Sequence, residues 1–388
     1  MARRRNRPEE SGDGELSVGD LIDGPTEVIS PAALAAARAA GPGPDRSVDE
    51  THDLSAYATG GPAAPENPTA AATTDLSAYA TGGPAGPTAG DPAGHADGDL
   101  AARTGRARVE LPGLPRPGAL YRRALRDVLP GIGRSRRPDA APPVELAVTG
   151  VTVDRAHLAE YDRVCGFRLA DTLPATYPHV LGFPLALRLM TLPEFPFPLA
   201  GVVHVGNRIT VHRPVPADAQ WDFVVHAEQL RPHPRGRQVD VVLVGSVGGE
   251  EVWHGVSTYL GRERGAGGGA GRDPGERPAP PAATAHWRLT PRVGTEYARV
   301  SGDHNPIHTS RLGARLFGFP RPIAHGMWSK ARCLAALESR LPEAYTVEVG
   351  FKLPVPLPST VAFSAVPGWD FALHDARTGR PHLAGTVR

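Results

Sequence analysis

The chain has 388 residues, with 42 Lys and Arg against 41 Asp and Glu and a formal net charge of +1. That balance gives no bulk attraction for nucleic acid or an anionic membrane surface. Two cysteines, Cys165 and Cys333, are too few for a disulfide framework or a four-cysteine zinc site, so a reducing, cytoplasmic setting is expected.

The N-terminal MARRRNRPEE is basic but runs into SGDGELSVGD without an apolar stretch, so no secretory signal is read there. Residues 1–115 are dominated by Pro, Gly, Ala, Thr and Asp. Too little apolar surface is present to offset the entropy of ordering, which predicts a disordered tail. Within it, SPAALAAARAAG (30–41) has the marks of a short capped helix, with Ser30 at the N-cap, Pro31 first and Gly41 past the end. The string DLSAYATGGPA stands at 53–63 and again at 75–85. Two copies are too few for a stacked repeat fold. A duplicated linker and a pair of docking motifs for a protein partner both stay open; in the second case doubling would raise avidity.

From 119 the texture changes. ALYRRALRDVLPG spaces Leu120, Ala124, Leu125, Val128 and Leu129 as a lead-in helix ended by Pro130–Gly131. From 144 to 262, short apolar runs alternate with Pro and Gly turns, and residues 119–262 are read as one domain. Its most apolar part, 180–206, contains Arg188, Glu194 and four prolines. It therefore fails as a membrane span, which needs about 20 uninterrupted apolar residues. A flexible linker is expected over 263–283. Its GAGGGAG has no strand before it and no apolar helix after it, so it is not a dinucleotide-binding loop. Ordered texture resumes over 284–388.

The two ordered segments resemble each other. YDRVCGF (161–167) lies over YARVSGD (297–303), PHVLGF (178–183) over PIAHGM (322–327), and RPVPADAQWDF (213–223) over LPVPLPSTVAF (353–363). Phe167 then stands where the second copy has Asp303. An ungapped extension puts Thr172 opposite His308. The first copy keeps the frame and lacks the polar pair, as expected if Asp303 and His308 serve chemistry and not folding.

The string carrying that pair is SGDHNPIH (301–308). An isolated aspartate here would read as a turn or helix cap. His304 and His308 are four apart, a metal-ligand spacing on a helix, but Pro306 interrupts it, and no metal site is expected. The whole pattern, Tyr297-x-x-x-Ser-Gly-Asp-x-Asn-Pro-Ile-His308, then FGFPRPIAHGM (317–327) and FKLPV (351–355), resembles the MaoC-like dehydratase or R-specific enoyl-CoA hydratase family. The first segment resembles the partner domain of actinobacterial tandem hot-dog dehydratases.

The resemblance implies an α+β tandem (double) hot-dog fold, each unit a central helix wrapped by a curved antiparallel sheet. The catalytic unit would be 284–388. It implies reversible dehydration of (3R)-3-hydroxyacyl thioesters, carried by coenzyme A or an acyl carrier protein, with no metal or organic cofactor. The site would be complete in a monomeric pseudo-dimer, or in a homodimer of such chains. Asp303 and His308 would be the acid/base pair, and both have ordinary pKa values suited to proton exchange around neutrality. Asn305 and Pro306 favour a tight turn that aims them together. Gly326 precedes a helical pattern with Met327, Ala331, Leu334 and Leu337 on one face, so its N–H is the candidate oxyanion donor. Tyr297, Ser301 and His325 are read as support for the site loop. Arg315, Arg321 and Lys330 are candidates to meet carrier phosphates. A hot-dog thioester hydrolase and a non-catalytic acyl-binding scaffold remain the alternatives.

Overall fold

The computed structural model describes residues 106–126, 137–199, 202–262, 280–366 and 368–388. The 30–41 helix, both DLSAYATGGPA copies and most of the linker lie outside the described residues.

The first segment runs β2 (Val144–Val151), helix α2 (Arg155–Cys165), α3 (Tyr177–Met190), β3 (Val203–Val211), β4 (Trp221–His233), β5 (Gly236–Val247) and β6 (Glu250–Arg262). The second runs β7 (Ala285–Leu289), α4 (Arg292–Ser301), α5 (Pro306–Thr309), α6 (Arg311–Leu316), α7 (Gly326–Leu337), β8 (Tyr345–Phe351), β9 (Ser359–Ala365), β10 (Asp370–Asp375) and β11 (Pro381–Val387). Ahead of both lie β1 (Ala107–Glu110) and α1 (Pro117–Arg126).

All strands form one sheet in the order β1-β2-β4-β5-β6-β3-β8-β11-β10-β9-β7. The five-strand pattern β2-β4-β5-β6-β3 thus recurs as β7-β9-β10-β11-β8. The two patterns meet where β3 and β8 pair antiparallel, from Gly206 opposite Gly350 to Val211 opposite Tyr345.

Side-chain chemistry explains each layer. In β4, Trp221, Phe223, Val225 and Ala227 alternate inward with a period of two. Helix α3 is buried on nearly all sides, as its apolar sequence demands, and it fills the curve of the first sheet. Gly182 lets it approach β5, since a Cβ there would stand 2.5 Å from Leu243 Cδ2. In the second unit α7 takes the same central place and buries Met327, Ala331, Leu334 and Leu337.

Three sequence expectations change. Residues 107–110 do not belong to a disordered tail: β1 pairs in parallel with β2, and Arg108 bonds Glu145 at 3.0 Å. Composition hides this because four residues carry no periodic signal, while the free edge of β2 supplies the hydrogen bonds. Second, Gly166 and Gly302 do occupy equivalent left-handed helix ends, at φ 84° and 72°. Beyond them the copies diverge. The bridge of Thr172 to Pro216 is matched by that of Ile323 to Pro356. Five residues separate Gly166 from Thr172, whereas twenty separate Gly302 from Ile323. His308 therefore has no counterpart at Thr172; it stands on an insertion that builds α5 and α6. Third, Pro178 lies in the first turn of α3, while Pro322 lies in the loop before α7, so the PHVLGF and PIAHGM strings do not superpose.

Candidate active site

Helix α4 ends at Ser301, and the left-handed Gly302 turns the chain so that Asp303 leaves the helix axis. Local hydrogen bonds then fix the turn. The Asp303 N–H donates to Ser301 Oγ at 3.2 Å, and the Asn305 N–H donates to Asp303 Oδ1 at 3.2 Å. Asn305 Oδ1 accepts the Ile307 N–H at 3.3 Å and so caps α5, with Pro306 as its first residue. One turn later His308 points back toward Asp303. Its Nδ1 lies 2.8 Å from Ile323 O. A carbonyl only accepts, so Nδ1 carries the proton and the neutral ring presents Nε2 as a lone pair.

His325 completes the cluster. Its Nε2 donates to the Asp303 backbone carbonyl at 3.0 Å, and its ring stacks on that of His308 with centroids 3.7 Å apart. Tyr297 lies against its other side at 4.9 Å. Ser301 and Asn305 thus sit where site support was expected, and His325 ties the turn to the start of α7. The next residue, Gly326, opens α7, and no side chain caps that helix end. Its N–H belongs to the first turn, where no intrahelical acceptor exists.

The charges are set by burial and by each other. Burial alone would push the Asp303 carboxyl up. His325 and His308, with the Tyr121 hydroxyl and the Asn305 N–H, outweigh it and hold the group below its ordinary value. The Asp303 side chain keeps 27% exposure, so it still reaches solvent. Burial pushes His308 down, only partly countered by Asp303 and Ile323 O. Burial, followed by His308, pushes His325 down to about 3. At neutral pH the site therefore holds one carboxylate and two neutral imidazoles.

Several contributors escape sequence reasoning because they come from outside the second unit. The Tyr121 hydroxyl on α1 donates to Asp303 Oδ1 at 2.5 Å. His179 on α3 and His204 on β3 are pushed down to about 4 and about 3, burial being the main cause, and Asp303 lies near enough to act on both. The His204 ring lies between Tyr259 at 4.6 Å and Phe351 at 5.0 Å. Phe351 in turn packs so closely that a Cβ on Gly326 would meet its ring at 3.1 Å. A wall thus runs from the first unit to the Gly326 N–H. His179, in the mostly apolar run of α3, is one sequence mark of it.

Lys330 does not meet phosphates. It is fully buried, and its Nζ donates to Asn207 Oδ1 at 2.6 Å, Asn207 O at 3.3 Å and Val347 O at 3.1 Å, across the β3–β8 seam. Arg315 and Arg321 are exposed. His304, weighed with His308 as a metal pair, is also exposed. Asp303, His308 and His325 instead bring one ligand atom each within 4.8 Å of one another, a spacing that could hold a divalent ion. His308 Nδ1 and His325 Nε2 already donate to carbonyls, which leaves only the remaining ring nitrogens and the carboxylate for such an ion.

Residues 276–368 match the MaoC like domain. The chain is 40% identical over 270 residues to 3-hydroxyacyl-thioester dehydratase X of Mycobacterium tuberculosis, spanning 69% of this chain and 95% of that protein. It is 32% identical over 139 residues to dehydratase Y of the same organism, or 33% of this chain and 47% of that one. The crystal structure of HtdX of Mycobacterium tuberculosis superposes with a TM-score of 0.57 at 40% identity, covering 63% of this chain and 99% of that one. Two central helices wrapped by one continuous sheet, with the Asp303, His308 and His325 cluster in the second unit, define a tandem hot-dog protein of MaoC-like type. Within that class, the chain belongs to the 3-hydroxyacyl-thioester dehydratase family. Among the described residues, no helix is long and apolar enough to cross a membrane.

Proposed function

We propose that the chain is a hydro-lyase that interconverts (3R)-3-hydroxyacyl and trans-2-enoyl thioesters of coenzyme A or an acyl carrier protein, in fatty-acid or related metabolism. The observation that carries this reading is the close pairing of an ionised Asp303 with a neutral His308 whose Nε2 lone pair is free. Two acceptors at that spacing hold one water through its two O–H groups and leave the water's own lone pair for Cβ of the enoyl thioester. As the O–Cβ bond forms, a proton passes from the water to the acid/base pair, and the pair returns a proton to Cα. The elements of water are thereby added across the double bond, and dehydration is the reverse.

Negative charge develops on the thioester oxygen in between. The Gly326 N–H is the donor for it, at a helix N-terminus whose dipole favours an anion. Asn305, Ser301 and His325 hold the turn that aims the pair. The β3–β8 seam unites two units in one chain, so a single chain supplies the whole site. The two free, buried thiols suit a cytoplasmic setting.

The test is loss of conjugated-enoyl absorbance with a trans-2-enoyl-CoA series and the matching carrier-protein esters. Asp303→Asn and His308→Asn should each lower kcat by about 10² or more. Release of free thiol, with the enoyl group untouched, would show a thioester hydrolase and overturn the proposal.

A further inference from the structure

Helix α1 belongs to neither repeat, yet it is docked on the site. Leu120 is buried against Phe183 and Leu187 of α3, and Tyr121 and Leu199 flank that cluster. Pro117 lies 3.3 Å from where a Cβ on Gly302 would stand, at the hinge of the turn that carries Asp303. Packing alone would be satisfied by a phenylalanine at 121. The hydroxyl adds something packing does not need: a 2.5 Å bond to Asp303 Oδ1.

The two carboxylate oxygens are consequently unlike. Oδ1 accepts from the Tyr121 hydroxyl and from the Asn305 N–H. Oδ2 has no protein donor in hydrogen-bond range among the described residues. The His325 Nε2 stands 3.9 Å from it and already donates to the Asp303 carbonyl. An unrestrained carboxylate can rotate and exchange its oxygens; this one is pinned from one side.

We propose that Tyr121 is a positioning residue for the reaction, locking Asp303 through Oδ1 so that Oδ2 is the oxygen facing the substrate. This rests on the acid/base reading of Asp303 given above. The donated hydrogen bond favours the ionised carboxylate, and a charge-assisted bond of this kind is stronger than a neutral one. The lead-in helix is therefore part of the active site. Among the described residues the first unit has no equivalent of it, because α1 lies outside the repeated pattern.

The test uses the full chain with aspartate carboxyls labelled with carbon-13, the Asp303 signal being identified by its loss in Asp303→Asn. Tyr121→Phe keeps the ring and its packing. It should raise the Asp303 pKa by about one unit and lower kcat about tenfold with KM little changed, since the carboxylate is no longer held in place. Difluorotyrosine at 121, a stronger donor, should move the Asp303 titration the other way. An Asp303 titration unchanged in Tyr121→Phe, beside an active wild type, overturns the Tyr121 inference alone. A wild type without turnover on any thioester overturns the dehydratase reading, whatever the titration does.

Discussion

Acidification tests the buried polar wall directly. Folding keeps His179, His204 and His325 neutral, with values of about 4, 3 and 3, whereas an unfolded histidine takes up a proton near 6.5. The unfolded state binds more protons throughout that interval. The stability these rings contribute is full above about pH 6.5 and is lost progressively as pH falls toward 3–4. Between pH 7 and pH 5 each ring accounts for about 2 kcal/mol, and the three together for about 6 kcal/mol. That is comparable to the whole stability of a marginal domain, about 5–15 kcal/mol.

Among the described residues, one group with a resolved shift opposes them. Asp162 is buried, and burial, followed by Glu338, pushes it up to about 7, so it favours the folded state as pH falls. One carboxyl against these three imidazoles, with His308 pushed down by burial as well, leaves a net loss. Urea unfolding followed at pH 7, 6 and 5 should show a steady fall in stability, His179→Gln should remove about a third of the histidine contribution, and Asp162→Asn should steepen the fall. A stability that stays flat from pH 7 to pH 5 would refute the assignment of neutral, desolvated rings.

Three further outcomes follow from the seam, the oxyanion donor and the ligand cluster. Lys330→Met leaves Asn207 and Val347 without their buried donor and should cost about 1–3 kcal/mol in urea unfolding, as orphaning buried acceptors does; an unchanged stability would argue that the amine is dispensable there. Gly326→Ala keeps the N–H but drives a Cβ to 3.1 Å from Phe351, so the donor shifts and kcat should fall by about tenfold or more; an unchanged kcat would show that the Phe351 ring yields without moving the N–H. Exhaustive chelation should leave turnover intact, while added zinc should inhibit by occupying Asp303, His308 and His325; lost turnover on chelation would instead make the cluster a metal centre.

Much of the site was legible because it is local. Asp303, Asn305 and His308 lie within six residues, their turn is built from hydrogen bonds between near neighbours, and Pro306 marks where α5 begins. The repeat was also visible wherever backbone geometry forces a residue type, as at Gly166 and Gly302. It misled where letters matched without geometry: Pro178 and Pro322 occupy different places, and an ungapped alignment hid the insertion that carries His308. Contacts made over long separations left no mark. Tyr121 reaches Asp303 across 182 residues and Lys330 reaches Asn207 across 123, so neither periodicity nor spacing could pair them. A lone lysine in a sequence reads as solvent-facing by default, and only the seam discloses that its three acceptors were waiting inside.

That one chain carries both units, paired through β3 and β8, has an evolutionary consequence. In an assembly of identical copies, every substitution in the substrate wall would also alter the reacting half, because one gene encodes both. Here the duplicates have separate codons. Under the proposed reaction, residues such as His179, His204 and Tyr259 can drift to suit another acyl group while Asp303 and His308 stay untouched, so selection on substrate shape and selection on proton transfer act on different stretches of the same gene.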